Sequence, residues 1–163
     1  GRFADGWHAT TFTAEGLEER LDDLRRGAEL GDRDPDDVRV TLSLPACALD
    51  DGEEARRITA QHLAFYVGGM GTYYRDSLAR QGHEELATDI ASAWASGDRD
   101  RAVDLVAENV LDDMAAAGTP EQAQERVAAF ESIDGLDAVA LAFPRAADRD
   151  QIDATIDALA PEA

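Results

Sequence analysis

The residues whose type and spacing could do chemistry are few, and the most unusual are glycines. Gly68, Gly69 and Gly71 fall in the stretch Gly68-Gly69-Met70-Gly71-Thr72-Tyr73-Tyr74. Each glycine inside a helix costs about 1 kcal/mol relative to Ala, so three in four residues need a reason. One reason is a kink where two helices approach closely. The other is a ligand groove, in which glycines bare backbone N–H groups and Tyr73 and Tyr74 offer ring faces and hydroxyls. Composition alone favours the kink. Thr119 opens Thr119-Pro120-Glu121-Gln122, a helix start whose N–H groups favour anions, although a plain cap explains the pattern.

Other reactive types read as structural. Cys47 would need a base and an activating field to act as a nucleophile, and a small buried hydrophobe is the simpler reading. Asp32, Asp34, Asp36 and Asp37 are spaced like a calcium loop. That pattern lacks the central glycine, and Ser43 stands where the bidentate Glu belongs, leaving a solvated acidic loop. His8, His62 and His83 form no metal-ligand spacing. His62 reads as the inner face of a helix, and His83-Glu84-Glu85 as a solvated helix start. No metal ligand and no catalytic residue are expected.

These positions must be held by alternating strands and helices. Asp5-Gly6-Trp7-His8 reads as the end of a first strand. Thr13 opens a helix with Leu17, Leu21, Leu24 and Ala28 on one face and Gly31 as its stop. Val38, Val40, Leu42 and Leu44 alternate with polar residues as a half-buried strand that Pro45 ends. A helical tract follows. Ala55, Ile58, His62, Phe65 and Tyr66 share a face of its first helix, which the glycines break. Thr72 to Gln81 reads as a short helix. Leu86, Ile90 and Trp94 line the next, stopped by Gly97. Val103, Val106, Val110 and Met114 line another that ends at Gly118. After the Thr119 helix, Asp134-Gly135 makes a turn. Leu136 to Phe143 reads as a strand buried on both faces, and Asp148 to Leu159 as a last helix. Strands separated by helices imply a parallel sheet with right-handed crossovers. About 90 residues between the second and third strands far exceed a minimal crossover of ~12, marking an insertion.

Composition narrows the partners. The chain has 163 residues, 35 acidic and 15 basic, for a net charge of −20, and every basic residue is Arg. Nucleic acid is excluded as a partner, because phosphates need a basic patch. An anionic membrane surface is disfavoured likewise, and no run approaches the roughly 20 apolar residues of a membrane helix. The start, Gly1-Arg2-Phe3, has no signal-peptide layout and no initiator Met, so a processed or truncated start is expected. One cysteine precludes an intrachain disulfide, in keeping with a cytoplasmic location. Acidic surfaces without Lys are typical of salt-accumulating microbes.

Three stretches resemble a known family. They are Arg2-Phe3-Ala4-Asp5-Gly6-Trp7-His8, Phe65-Tyr66-Val67-Gly68-Gly69-Met70-Gly71-Thr72-Tyr73-Tyr74, and Gly118-Thr119-Pro120-Glu121 with its helix and the strand Val139 to Phe143. In order and spacing the chain resembles the C-terminal part of the luciferase-like monooxygenase superfamily. The likeness is strongest to its deazaflavin-dependent, methylene-tetrahydromethanopterin reductase-like branch. The resemblance implies an α/β fold: the C-terminal part of a (β/α)8 TIM barrel of about 250 residues or more. Residues 1–163 would form one partial barrel, with residues 4–8, 38–44 and 137–143 as its sixth, seventh and eighth strands and a helical insertion over about 52–117. It implies cofactor contact at Trp7, His8, Gly68, Gly69, Met70, Gly71 and Thr119, with coenzyme F420 or alternatively FMN as cofactor. The implied activity is hydride transfer to or from a small organic substrate, with this chain inactive alone. The expected partner is a missing N-terminal barrel half or a second copy. The alternative is a non-catalytic partial barrel that completes or dimerises with another chain.

Charge gives the first test. At 1 M salt the Debye length is about 3 Å, so neighbouring carboxylates cease to repel. The thermal midpoint in molar KCl is expected to exceed that in dilute buffer; an equal or lower midpoint in KCl removes the salt-adaptation reading.

Overall fold

The computed structural model describes residues 1–161. β1 (Gly6–Thr10) leads into α1 (Ala14–Glu29), whose N-terminus is capped by the Thr13 hydroxyl accepting from Gly16 N–H. A single 3-10 turn (Pro35–Asp37) precedes β2 (Arg39–Ala48). Then come α2 (Gly52–Gly69), α3 (Tyr73–Leu78), a wide turn (Ala79–His83), α4 (Glu84–Ser96), α5 (Arg99–Asn109) and α6 (Leu111–Met114). The chain returns through β3 (Ala116–Gly118) to α7 (Pro120–Glu131), β4 (Ala138–Ala142) and α8 (Arg149–Leu159). Thr119 and Asp148 both form the reciprocal capping box, with Gln122 and Gln151.

All pairing is parallel and centred on β2. β1 lies against it from Gly6 opposite Arg39 to Thr10 opposite Ser43. β4 runs from Ala138 opposite Thr41 to Ala142 opposite Pro45. Beyond Pro45 the ladder changes partner, and Ala46–Ala48 pair with Ala116–Gly118. Alternation sorts the side chains. Val40, Leu42 and Leu44 point to the same side as Ala9 and Leu141, where Leu17 and Leu21 of α1, Phe130 of α7 and Leu159 of α8 complete a core. By register, His8, Thr10, Thr41, Ser43, Ala138 and Ala140 share the opposite face. They are exposed or half-buried.

Helices α2 to α6 build a second core of their own. Leu63, Ala64 and Val67 of α2 pack on Ile90 of α4, Val106 of α5 and Met114 of α6. One side chain ties this helical unit to the β1–α1 turn. Thr11 is buried with φ +61°, a conformation rare for a β-branched residue. The Gln81 carboxamide donates to Thr11 O (3.2 Å) and Ser77 O (3.1 Å), and accepts from Thr13 N–H (2.8 Å). Gly16 is required beneath it, since a Cβ there would collide with Gln81 Oε1.

Five sequence readings are corrected. The first strand begins where Asp5-Gly6-Trp7-His8 implied an end, because Arg39 N–H donates to Asp5 O (3.1 Å) and starts the ladder there. Pro45 does not end β2. It lies where the strand changes neighbours, a position that tolerates a missing N–H. The helix of Val103 and Val106 stops at Asn109, and Ala116–Gly118 form a strand. Alanines favour helix, but at β3 only small side chains fit between β2 and the helices, and all three residues are buried. β4 is covered on one face only. Finally, α2 continues through Gly68 and Gly69 to end at Met70.

Replacing Gln81 by Ala removes five side-chain hydrogen bonds and leaves Thr11 O and Thr13 N–H unpaired in a part-buried turn. A loss of about 1–2 kcal/mol is expected in urea unfolding, and an unchanged stability would show that the turn does not need this contact.

Candidate functional site

The carboxyl ends of β1 and β4 and the Ser43–Pro45 part of β2 meet α2 around a cavity of about 180 Å³. Thr10, Thr11, Ser43, Pro45, Ala142 and Phe143 come from the strands or follow them directly. His62, Leu63 and Tyr66 come from α2, and Arg145 from the segment after β4. A second cavity of about 300 Å³ lies alongside, bounded by Gln61, His62 and Phe65 of α2, Trp94 of α4, and Arg145 with Ala146. His62 and Arg145 line both.

His62 is held by contacts from two directions. Arg145 N–H reaches Nδ1 at 3.4 Å, which makes Nδ1 the acceptor and assigns the proton of the neutral ring to Nε2. Burial pushes the imidazole below its ordinary pKa, and the Arg145 charge pushes the same way. The Tyr66 ring lies 4.7 Å away, Tyr74 packs edge-on to Tyr66 at 4.8 Å, and Tyr73 to Tyr74 at 5.2 Å. Burial, then the neighbouring tyrosines, raise the Tyr74 hydroxyl. The Arg145 guanidinium sits 5.7 Å from the Phe65 ring centroid, within cation–π range.

The structure gives the residues picked out in the sequence separate places. Gly68 and Gly69 are helical and face Trp94. A Cβ on Gly68 would stand 2.5 Å from Trp94 Cβ, and one on Gly69 2.8 Å from Trp94 Nε1. This is the close helix approach, and it accounts for both glycines. Gly71, at φ +79° with open space around it, makes the turn into α3, and Met70 beside it is exposed. Trp7 and His8 lie inside β1 rather than past its end. Trp7 stacks edge-on to Phe12 on the helix-covered side, while His8 is on the open face. Thr119 caps α7, and its hydroxyl donates to Glu121 (2.9 Å), so a carboxylate already occupies that helix end. Hydrogen bonds from the backbone and Thr119 hold Glu121 below the usual carboxylate range. Thr119 lines neither cavity. Cys47 is fully buried in β2 with its thiol pushed up by burial, an inert position. Among the described residues, no cluster of His, Cys, Asp or Glu is placed to hold a metal, and no helix is long and apolar enough to cross a membrane.

The residues that do line the cavities are not marked as a site by their sequence pattern. His62, Phe65 and Tyr66 were visible as a stripe at helical spacing, but it read as core. The core face of α2 is instead Ala60, Leu63, Ala64 and Val67. Thr10, Ser43 and Arg145 carried no signal.

A parallel α/β sheet with helices packed on it and a cavity at its strand ends defines the class, a partial (β/α)8 barrel. Residues 1–135 match the luciferase-like monooxygenase family, and the chain belongs to that family. A Mycobacterium tuberculosis protein designated a coenzyme F420-dependent oxidoreductase is 25% identical over 137 residues, covering 78% of this chain and 39% of that protein. The coenzyme F420-dependent tetrahydromethanopterin reductase of Methanopyrus kandleri superposes with a TM-score of 0.73 at 21% identity, over 96% of this chain and 44% of that one. An EDTA monooxygenase from Chelativorans shares the fold more distantly, with a TM-score of 0.52 at 19% identity, over 97% of this chain and 39% of its own. The chain therefore spans less than half the length of these relatives.

Gly68 offers a test of sign. A helical Gly→Ala change ordinarily stabilises by about 0.5–1 kcal/mol. Here Gly68→Ala is expected to destabilise by about 1–3 kcal/mol through overpacking against Trp94. The nearest atom in that clash is Trp94 Cβ, so in a Trp94→Gly background, which removes it, the same change should become stabilising. Stabilisation in both backgrounds, measured by denaturant unfolding, would refute the packing role.

Proposed function

We propose that this chain supplies part of the ligand site of a deazaflavin- or flavin-dependent oxidoreductase that transfers a hydride to or from a small organic substrate. The observation that carries the reading is the cavity formed where β1 and β4 end beside Ser43 and Pro45 of β2, against α2. Ligands of parallel α/β folds bind at the carboxyl ends of the strands. At about 180 Å³ this cavity is smaller than the 300–1,000 Å³ of typical ligand pockets, so it suits one edge of a cofactor or substrate. The remaining walls would come from strands beyond these four, in the same polypeptide or in a partner.

The bound cofactor would supply the hydride chemistry, and the protein would bind and orient. Thr10 and Ser43 offer hydroxyls, and His62 an Nε2–H donor. Leu63, Phe143 and the Tyr66 ring offer apolar walls that exclude water. Met70 and Gly71, exposed at the end of α2, remain candidates for cofactor contact, as does His8 on the open face. The cofactor is F420 by likeness to the F420-dependent relatives, with FMN as the alternative.

A second reading is a non-catalytic partial barrel that pairs with another chain. The observation favouring it is the uncovered sheet face of His8, Thr10, Ser43, Ala138 and Ala140. One experiment separates the two. The purified chain should not oxidise reduced F420 or FMN with any substrate, while the chain completed with the other barrel strands should bind the cofactor and turn over. Turnover by the chain alone would contradict the divided site, and a completed barrel that binds neither cofactor would leave only the non-catalytic reading.

A further inference from the structure

The two cavities that share His62 have an unexpected electrostatic character. The chain carries 35 acidic residues, yet neither cavity is lined by a single Asp or Glu. The contrast is a larger surface cleft of about 550 Å³, where Asp51, Glu53, Glu54 and Asp104 outnumber Arg56 and Arg57. Most guanidiniums of this protein are paired with carboxylates. Among the described residues Arg2, Arg80, Arg99 and Arg145 are in no ion pair, and of these four Arg145 is the one that lines the two cavities. The nearby Asp148 is engaged in capping α8, accepting from Gln151 N–H at 2.9 Å. An unpaired guanidinium in a chain with so many carboxylates leaves its fork of donors free for an incoming oxyanion.

We propose that Arg145 and His62 form a subsite for an organic anion with an apolar body, its charged group on Arg145 and its body against Phe65 and Trp94. The proposal names the substrate class of the strand-end site and rests on reading that cavity as this chain's share of the ligand site. The guanidinium lies by the Phe65 ring and its backbone is fixed to His62 Nδ1, which leaves the His62 Nε2–H as a second donor. Arg99 stacks 3.7 Å from the centroid of the Trp94 ring, and Trp94 also lines the 300 Å³ cavity. That volume is at the low end for ligand pockets, which limits the body to about one ring or a short alkyl chain. The overall charge of −20 opposes any anion at long range, but screening confines that field to about 8 Å at physiological ionic strength. The contact with Arg145 then decides.

The chain contains two tryptophans, Trp7 and Trp94, so Trp7→Phe leaves Trp94 as a reporter within the subsite. At fixed ionic strength, benzoate is expected to alter Trp94 fluorescence and to bind at least tenfold more tightly than its neutral isostere benzamide. Arg145→Gln should abolish that tenfold preference and leave benzamide binding unchanged, with circular dichroism confirming an intact fold. Arg145→Lys should restore part of the preference. Phenyl phosphate serves as a third arm: tighter, Arg145-dependent binding than benzoate supports the subsite and assigns it a phosphate rather than a carboxylate. Equal binding of benzoate and benzamide, benzoate binding untouched by Arg145→Gln, or no binding of any probe overturns the proposal. FMN titrated in parallel keeps the two ideas apart. Arg145-dependent anion binding without cofactor binding in the completed barrel would remove the oxidoreductase reading and leave the subsite standing.

Discussion

Every strand of this protein is held by β2. Its first half pairs with β1 on one side and β4 on the other, and its last three residues pair with β3. A strand's side chains alternate between faces, so a one-residue slip of β2 would move Val40, Leu42 and Leu44 out of the core and expose them together. The register is fixed at the start of β4. There Asp137 accepts from Val40 N–H through its carboxylate (2.7 Å), donates its own N–H to Val40 O (2.9 Å) and pairs with Arg39 (2.6 Å). Those bonds hold the Asp137 carboxyl below its ordinary range, the backbone bond more than Arg39. At the far end the Thr155 hydroxyl accepts from Ala48 N–H (3.1 Å), seating α8 on the last residue of the strand.

The same strand places the site. It carries Ser43 and Pro45 to the cavity and then pairs with β3, whose Ala116 lies in the sheet core and Ala117 in the helical core, so the two cores meet there. Two close approaches hold the helices at that junction. The backbone of Gly68 and Gly69 lies directly against Trp94, which fixes α2 on α4, and Gln81 fixes the wide turn on the β1–α1 corner. Through these contacts α2 presents His62, Phe65 and Tyr66 to the strand ends and its smaller residues to the helices. The site is thus assembled from pieces more than 130 residues apart, Thr10 and Arg145 among them, and the packing of α2 brings them together.

Charge is distributed with comparable economy. Carboxylates cover the outer surface and cap the helix ends, as Asp51, Asp98 and Asp148 do. Arginines answer many of them in exposed pairs such as Arg25 with Asp134, each worth little singly. The helix N-terminus at Thr119 is neutralised internally by Glu121.

The sequence by itself determined the α/β alternation, the helix starts at Thr13, Thr119 and Asp148, and the family, because caps and hydrophobic periods are local signals that survive any packing. It also determined that the glycine stretch needed explanation, while leaving kink and groove both open. Tertiary structure decided the rest. That Ala116–Gly118 is a strand follows from the space beside β2, not from alanine's own preference for helix. That Gly68 and Gly69 serve packing depends on Trp94, some 25 residues away. That His62 and Arg145 meet depends on β4 pairing with β2 in one register and α2 lying across its end. A side chain's role in a site is set by what lies opposite it, and that partner comes from another element of the chain whose position no local pattern encodes.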